Sequence, residues 1–192
     1  AGQWEDGYFN IYFTVCEPGM RFKDRSKHEL YCAGHLLEAA IAYYEATGKD
    51  RFLRCMEKYI NYIYQVFVEE KSAAFVTPGH EEIELALLRL YACNGNKKAL
   101  KLAKFFLEER GRHPEESTGD DFSNYYLAAN NQSHLPIREQ KTAQGHAVRA
   151  CYLYIAMAML AAVTKDEELI QTCNALYQDI TERKMYITGG IG

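Results

Sequence analysis

Three Gly-His pairs punctuate the chain, each heading a run of helical pattern: "AGHLLEAA" at Gly34-His35, "TPGHEE" at Gly79-His80 and "QGHAVRA" at Gly145-His146. Each run ends in a short polar turn and is answered by a second helical run. The first helix is expected over residues 26–47, with Ser26 and Glu29 in capping-box spacing and Gly48 as its stop. Phe52, Leu53, Met56, Ile60, Ile63 and Phe67 then recur at steps of three and four, the signature of an amphipathic return helix.

The second hairpin is expected to start at Thr77 and Pro78, a cap and a first-turn proline. It runs through Ile83, Leu87, Leu90 and Tyr91, breaks at "NGN", and returns through Leu100, Ala103 and Leu107. The third starts near Thr142, passes Val148, Cys151, Tyr152, Ile155 and Val163, breaks at "TKD", and returns through Leu169, Cys173 and Leu176. The turns "TGKDRFL", "NGNKKAL" and "VTKDEEL" align Leu53, Leu100 and Leu169, which lie 18, 20 and 23 residues beyond their histidines.

This pattern predicts an all-α chain of helical-hairpin repeats. A hairpin cannot bury both faces alone, so copies must stack, either as an open solenoid or as a closed (α/α) toroid. The first helices, rich in small and apolar residues, suit an inner ring, and the more charged second helices an outer one. On a toroid the helix starts converge at one mouth, so His35, His80 and His146 in three first turns would look into a common cavity.

Composition narrows the function. With 48% hydrophobic residues the chain can build a core, and a net charge of -4 with scattered Lys and Arg gives no footprint for nucleic acid. No apolar run is expected to reach the roughly 18 residues that span a bilayer. The opening "AGQWEDGYFN" is neither basic nor apolar enough for a signal peptide. Six cysteines, Cys16, Cys32, Cys55, Cys93, Cys151 and Cys173, are widely spaced without C-x-x-C and are expected to be buried free thiols of a reducing compartment such as the cytoplasm. The abrupt opening and the final "MYITGGIG" lead to the expectation of a piece of a longer protein.

Each Gly-His histidine has a bland reading as a cap or packing residue beside a ligand-facing one. Threefold recurrence favours the second, since packing does not call for the same polar residue after glycine in every repeat. Glycine allows close approach of another backbone or a ligand, and neutral imidazole both donates and accepts, which suits hydroxyl groups. A three-histidine metal site is the weaker alternative, because no supporting spacing or cysteine pair accompanies it.

Glu81, Glu82 and Glu84 are expected to open a helix, where negative charge favours the dipole. Arg138 and Glu139 are read equally as a structural ion pair or as reaching the mouth. The segment 111–141 carries Tyr125, Tyr126, Asn130, Asn131, Gln132 and His134, residue types that stack on and bond to sugars; residues 125–129 also read as a short packing helix. The final "TGGIG" lacks G-x-G-x-x-G and reads as a turn.

In order, "DGYFNIYFT", "HELYCAGHLLEAAIAYYEATGKDRFL", "GHEEIELALLRLY", "REQKTAQGHAVRACYLY" and "MYITGGIG" resemble the bacterial glycoside hydrolase family 127 over nearly the whole chain. The resemblance implies an (α/α)6 barrel followed by β-rich domains, and retaining hydrolysis of terminal β-L-arabinofuranosides. It implies a glutamate acid/base and a cysteine nucleophile held among glutamate and cysteine ligands of zinc. By motif match it makes His35, His80 and His146 the residues that bind sugar hydroxyls. The family's catalytic glutamate and Glu-Cys cluster follow the "YITGGIG" motif, where this chain ends, and none of its six cysteines lies in a matching motif. Catalytic and zinc-binding residues are therefore not assigned within it. The same repeats also suit a sugar epimerase or unsaturated-uronide hydrolase on a toroid, or a non-enzymatic helical-repeat binding module. The repeats alone do not fix the oligomeric state.

Overall fold

The computed structural model describes residues 2–117 and 128–192; Tyr125 and Tyr126 lie outside the described residues. The chain divides into two compact units, Ala1–Phe105 and Phe106–Gly192.

The first unit holds a short helix α1 (Ile11–Val15), a 3-10 turn (Arg25–Lys27), then α2 (Glu29–Thr47), α3 (Arg51–Tyr64), α4 (Ile83–Asn94) and the opening of α5 (Lys97–Glu109). Helix α2 packs against both its return helix α3 and the next first helix α4. Leu37, Ile41, Met56, Ile60, Ile63, Leu87 and Leu90 are fully buried, each contributing roughly 1.5–3 kcal/mol of transfer free energy. Gly48 ends α2 in the left-handed region (φ 70°), its N–H donating to the Tyr44 carbonyl, as expected.

The start of α2 differs from expectation. Ser26 sits in the 3-10 turn, where Asp24 accepts from its amide and hydroxyl. Glu29 is buried and does not cap. Its carboxylate accepts from Tyr8 Oη at 2.5 Å and from the Phe22 amide at 2.7 Å. The helix starts after His28, held in the left-handed region at φ 61°.

Helix α4 begins at Ile83, six residues later than the Thr77-Pro78 signal suggests. Thr77 does not cap: the Arg25 guanidinium donates to its carbonyl (2.8 Å), to its hydroxyl (2.8 Å) and to the Pro78 carbonyl (3.3 Å), holding 77–82 as a bent strap ahead of the helix. In α5 the aligned station also slips. Leu53 is the third residue of α3, but the third residue of α5 is the fully buried Ala99, and Leu100 is half-exposed.

The second unit carries α6 (Ala147–Thr164) and α7 (Glu167–Asp179), which pack on each other. Asp166 caps α7 by accepting from the Leu169 amide at 3.0 Å. Helix α6 starts at Ala147 rather than near Thr142, and it buries Ala150, Leu153, Ala156, Met157, Leu160 and Ala161 while Val148, Ile155 and Val163 are exposed. It is apolar on every side, so periodicity alone selects the wrong stripe. It is also long and apolar enough to meet the length and composition of a membrane span, contrary to expectation; the inner helix of a helical domain meets the same test.

Two of the three return helices end in a π turn, Gln65–Glu69 after α3 and Ile180–Lys184 after α7. The closing "TGGIG" is a turn, pinned by an antiparallel bridge between Met185 and Ile191. The six cysteines are free but not buried: Cys16 and Cys32 are exposed and the other four half-exposed. They stand beside the buried positions, as Cys55 before Met56 and Cys151 after Ala150.

Candidate functional site

Residues 28–35 and 77–84 build one polar face of the first unit. Tyr31 and His35 are four apart on α2 and so share a helix face. The Tyr31 ring lies 4.4 Å, centroid to centroid, from both the His35 ring and the His80 ring. His28 closes the group, 5.8 Å from Tyr31 and 5.9 Å from His80. Its left-handed backbone, at φ 61°, is one that histidine takes more readily than most side chains, and it turns the chain into α2.

His80 is held by its strap. An ideal Cβ on Gly79 would lie 2.5 Å from the Arg25 carbonyl oxygen, so only glycine lets the strap pass this close. His80 Nδ1 donates to the Glu81 carbonyl at 2.7 Å. A carbonyl only accepts, which places the ring hydrogen of the neutral imidazole on Nδ1.

Glu82 lies beneath His35. It is 1% exposed, with Oε1 at 3.5 Å from His35 Nδ1. Burial, with Glu38 and Glu84 nearby, pushes its carboxyl up to about 9. The Glu82 amide donates to Glu84 Oε2 at 3.1 Å. Arg89 on α4 is engaged with Glu38 and reaches Glu45 at 3.8 Å. Of the three glutamates, only Glu84 stands in the first turn of α4, where its charge faces the helix dipole; Glu81 and Glu82 are buried ahead of the helix, not in it.

His146 belongs to the second unit, as the exposed cap residue of α6 without a side-chain capping bond. Its setting differs from that of His35, on the second turn of α2, and of His80, on the strap before α4. The three are thus not equivalent first-turn residues. Gly145 is at φ 80°, and a Cβ there would lie 1.8 Å from the Ala129 carbonyl oxygen. The approaching loop is fastened by Gln132, whose Nε2 donates to the Gln144 carbonyl (2.8 Å) and the His146 carbonyl (3.3 Å). Gln132 and Asn131 are buried and structural here; Arg110, fully buried, donates to the Asn131 carbonyl at 2.9 Å. The Gly145 backbone borders a cavity of about 290 Å³ that the closing turn also lines through Ile191 and Gly192.

Arg138 is structural. It bridges Glu108 (2.6 Å), Asp166 (2.7 Å) and Glu168 (3.0 Å), while Glu139 is exposed and outside that network. Among the described residues no group of three or more His, Cys, Asp or Glu is placed to hold a metal ion.

Sequence reasoning did not find Arg25, Tyr31 or Glu82. The four-residue spacing of Tyr31 and His35 was a usable signal for the first pairing. Nothing local marks Arg25, whose bonds to the strap span 52 residues of chain.

The model of the β-L-arabinofuranosidase catalytic domain of glycoside hydrolase family 127 matches residues 1–192. The non-reducing end β-L-arabinofuranosidase of Bifidobacterium longum subsp. longum is 33% identical over 207 residues, covering 99% of this chain and 31% of that protein. Among solved structures, a family 127 β-L-arabinofuranosidase from Geobacillus stearothermophilus is 50% identical with a TM-score of 0.91, over 99% of this chain and 31% of that one. A second family 127 β-arabinofuranosidase is 36% identical with a TM-score of 0.83, over 99% and 30%. The chain therefore spans about a third of the length of these relatives.

Proposed function

Because the chain belongs to glycoside hydrolase family 127, we propose that it supplies part of the sugar pocket of an enzyme that hydrolyses terminal β-L-arabinofuranosides with retention. The observation that carries this is the placing of His35 and His80 against the same residue, Tyr31, both rings 4.4 Å from it. Two imidazoles and a phenol offer donors, acceptors and an apolar edge in one patch, the chemistry that a ring of hydroxyl groups requires. His146 is assigned to the same role by its motif.

The helical hairpins are proposed to form part of an (α/α)6 barrel, completed with its β-rich domains by sequence outside these 192 residues; relatives about three times as long support this. A retaining reaction needs a carboxyl group to protonate the leaving oxygen and a nucleophile to take the anomeric carbon. No residue of this chain is assigned to either task. The zinc implied by the resemblance finds no fitting ligand set among the described residues.

The test is to give the intact natural protein an aryl β-L-arabinofuranoside, with the α-L and β-D isomers as controls, and to follow the first product by NMR. Release from the β-L isomer alone, as the β-anomer of arabinose, is the expected result. No release, or an inverted first product, sinks the proposal.

A further inference from the structure

We propose that Glu82 is a positioning residue that sets the tautomer of His35, so that the two histidines beside Tyr31 present hydrogen-bonding groups of opposite sense. The inference rests on reading His35 and His80 as sugar-binding, and adds to it the direction in which each ring bonds.

The geometry begins at Gly34. A Cβ there would stand 1.5 Å from Glu82 Oε2, so the bare backbone of α2 is what admits the carboxyl beneath the next residue. Glu82 Oε2 has no hydrogen-bond partner among the described residues, and Oε1 lies 3.5 Å from His35 Nδ1. That separation is longer than a formed hydrogen bond, and a small swing of the exposed His35 ring closes it. Catalytic and binding contacts are commonly loose before ligand arrives.

The surroundings decide which partner donates. Glu38 from α2 and Glu84 from α4 face Glu82 with like charge, and Cys32 of α2 is also near. The neighbouring cation, Arg89, is already bound to Glu38. Burial and these carboxylates push Glu82 to about 9, so it keeps its proton at neutral pH. A protonated carboxyl donates through its O–H. His35 Nδ1 is then the acceptor, and the hydrogen of the neutral ring sits on Nε2. His80 is set the other way, since its Nδ1 donates to the Glu81 carbonyl and leaves Nε2 as an acceptor nitrogen. One ring thus carries a donor at Nε2 and the other an acceptor, both beside the same tyrosine. Because each sugar hydroxyl both donates and accepts, such a pair can take one hydroxyl of a diol as acceptor and the other as donor.

The experiment is a long-range proton–nitrogen NMR spectrum of the histidine rings in the intact natural protein, without sugar, near pH 7. The expected result is the Nε2–H form for His35 and the Nδ1–H form for His80. Glu82→Gln, whose amide still donates to Nδ1, keeps the His35 form. Glu82→Ala gives mixed tautomers at His35 and leaves His80 unmoved. Raising the pH past 9 ionises Glu82 and moves wild-type His35 toward Nδ1–H, while the Gln variant does not respond. An Nδ1–H form of wild-type His35 near pH 7 overturns the inference even if the Ala variant fails to fold, and so does a high-pH response that persists in the Gln variant. Titrating the same sample with a β-L-arabinofuranoside reads separately on the proposed function: rings that do not shift overturn the sugar reading and leave the tautomer relation standing.

Discussion

The carboxyl of Glu82 fills the space that a side chain at Gly34 would need, with an ideal Cβ 1.5 Å from Oε2 and 2.9 Å from the Ile83 Cα. The carboxyl could rotate away, but the Ile83 backbone at the start of α4 cannot.

Gly34→Ala is therefore expected to lose about 1–3 kcal/mol of stability, the cost of overpacking a filled interior. Chemical denaturation of the variant measures it. Gly48→Ala is the comparison: nothing lies within 4 Å of its added Cβ, and the left-handed φ of 70° alone costs about 1 kcal/mol. If Gly34→Ala is harmless, the clearance is not needed.

Glu82 gives a pH signature. Its folded carboxyl is raised to about 9 from an ordinary 4.5, so between these values the folded chain holds a proton that the unfolded chain has released. Stability contributed by the neutral group is present below pH 4.5 and is lost as pH rises, by at most about 1.4 kcal/mol per pH unit, until the loss levels off above 9. Glu82→Gln should flatten this slope. Parallel pH profiles of wild type and variant would count against the raised carboxyl.

Tyr8→Phe removes one of two donors to the buried Glu29, leaving the Phe22 amide. The expected loss is about 1–3 kcal/mol with the aromatic packing on Phe22 and Tyr59 kept, because a buried acceptor is left short of a partner. A melting temperature equal to wild type would show that Glu29 finds another donor.

Arg138 and Arg54 should behave differently. Arg138→Lys keeps the charge but loses the fork that grips Glu108 and Asp166 together, and is expected to cost about 1 kcal/mol. Arg54 makes an exposed pair with Asp50 at its own helix start, and Arg54→Ala should stay within about 0.5 kcal/mol. Thermal melts at low and high salt separate the two cases.

For the proposed activity, His35→Ala and His80→Ala should each lower kcat/KM on a β-L-arabinofuranoside by roughly tenfold, one hydrogen bond's worth, while the melting temperature holds. Variants within twofold of wild type would remove these rings from the pocket.

What the sequence revealed and what it hid divide along the range of the interactions. Helix identity is local, so α2 through α5 and the α6–α7 pair follow from apolar spacing, and Gly48 marks its helix end correctly. Starts set by distant residues were misread. Thr77-Pro78 has the chemistry of a cap, but Arg25, 52 residues away, claims its carbonyl and hydroxyl. Glu82 looked like one of three acids greeting a helix dipole, because nothing in "GHEEIE" says that Gly34 has opened a seat for it under another helix. The histidines were found by recurrence, yet their three backbone settings differ. Recurrence in sequence marks a shared motif and not a shared geometry.

The two π turns that close α3 and α7 set these two return helices apart from α5 and from the first helices. A π turn takes up more residues per turn than an α turn, so each is a place where the helix has absorbed slack without rotating the buried side chains before it. Lengthening or shortening the chain by one residue at 180–184, which buries no side chain, would be cheaper than at 65–69, where Val66 and Phe67 are buried, or anywhere along α2, α4 or α6. The end of α7 is thus adjustable in length, while the packed helices before it are fixed in register.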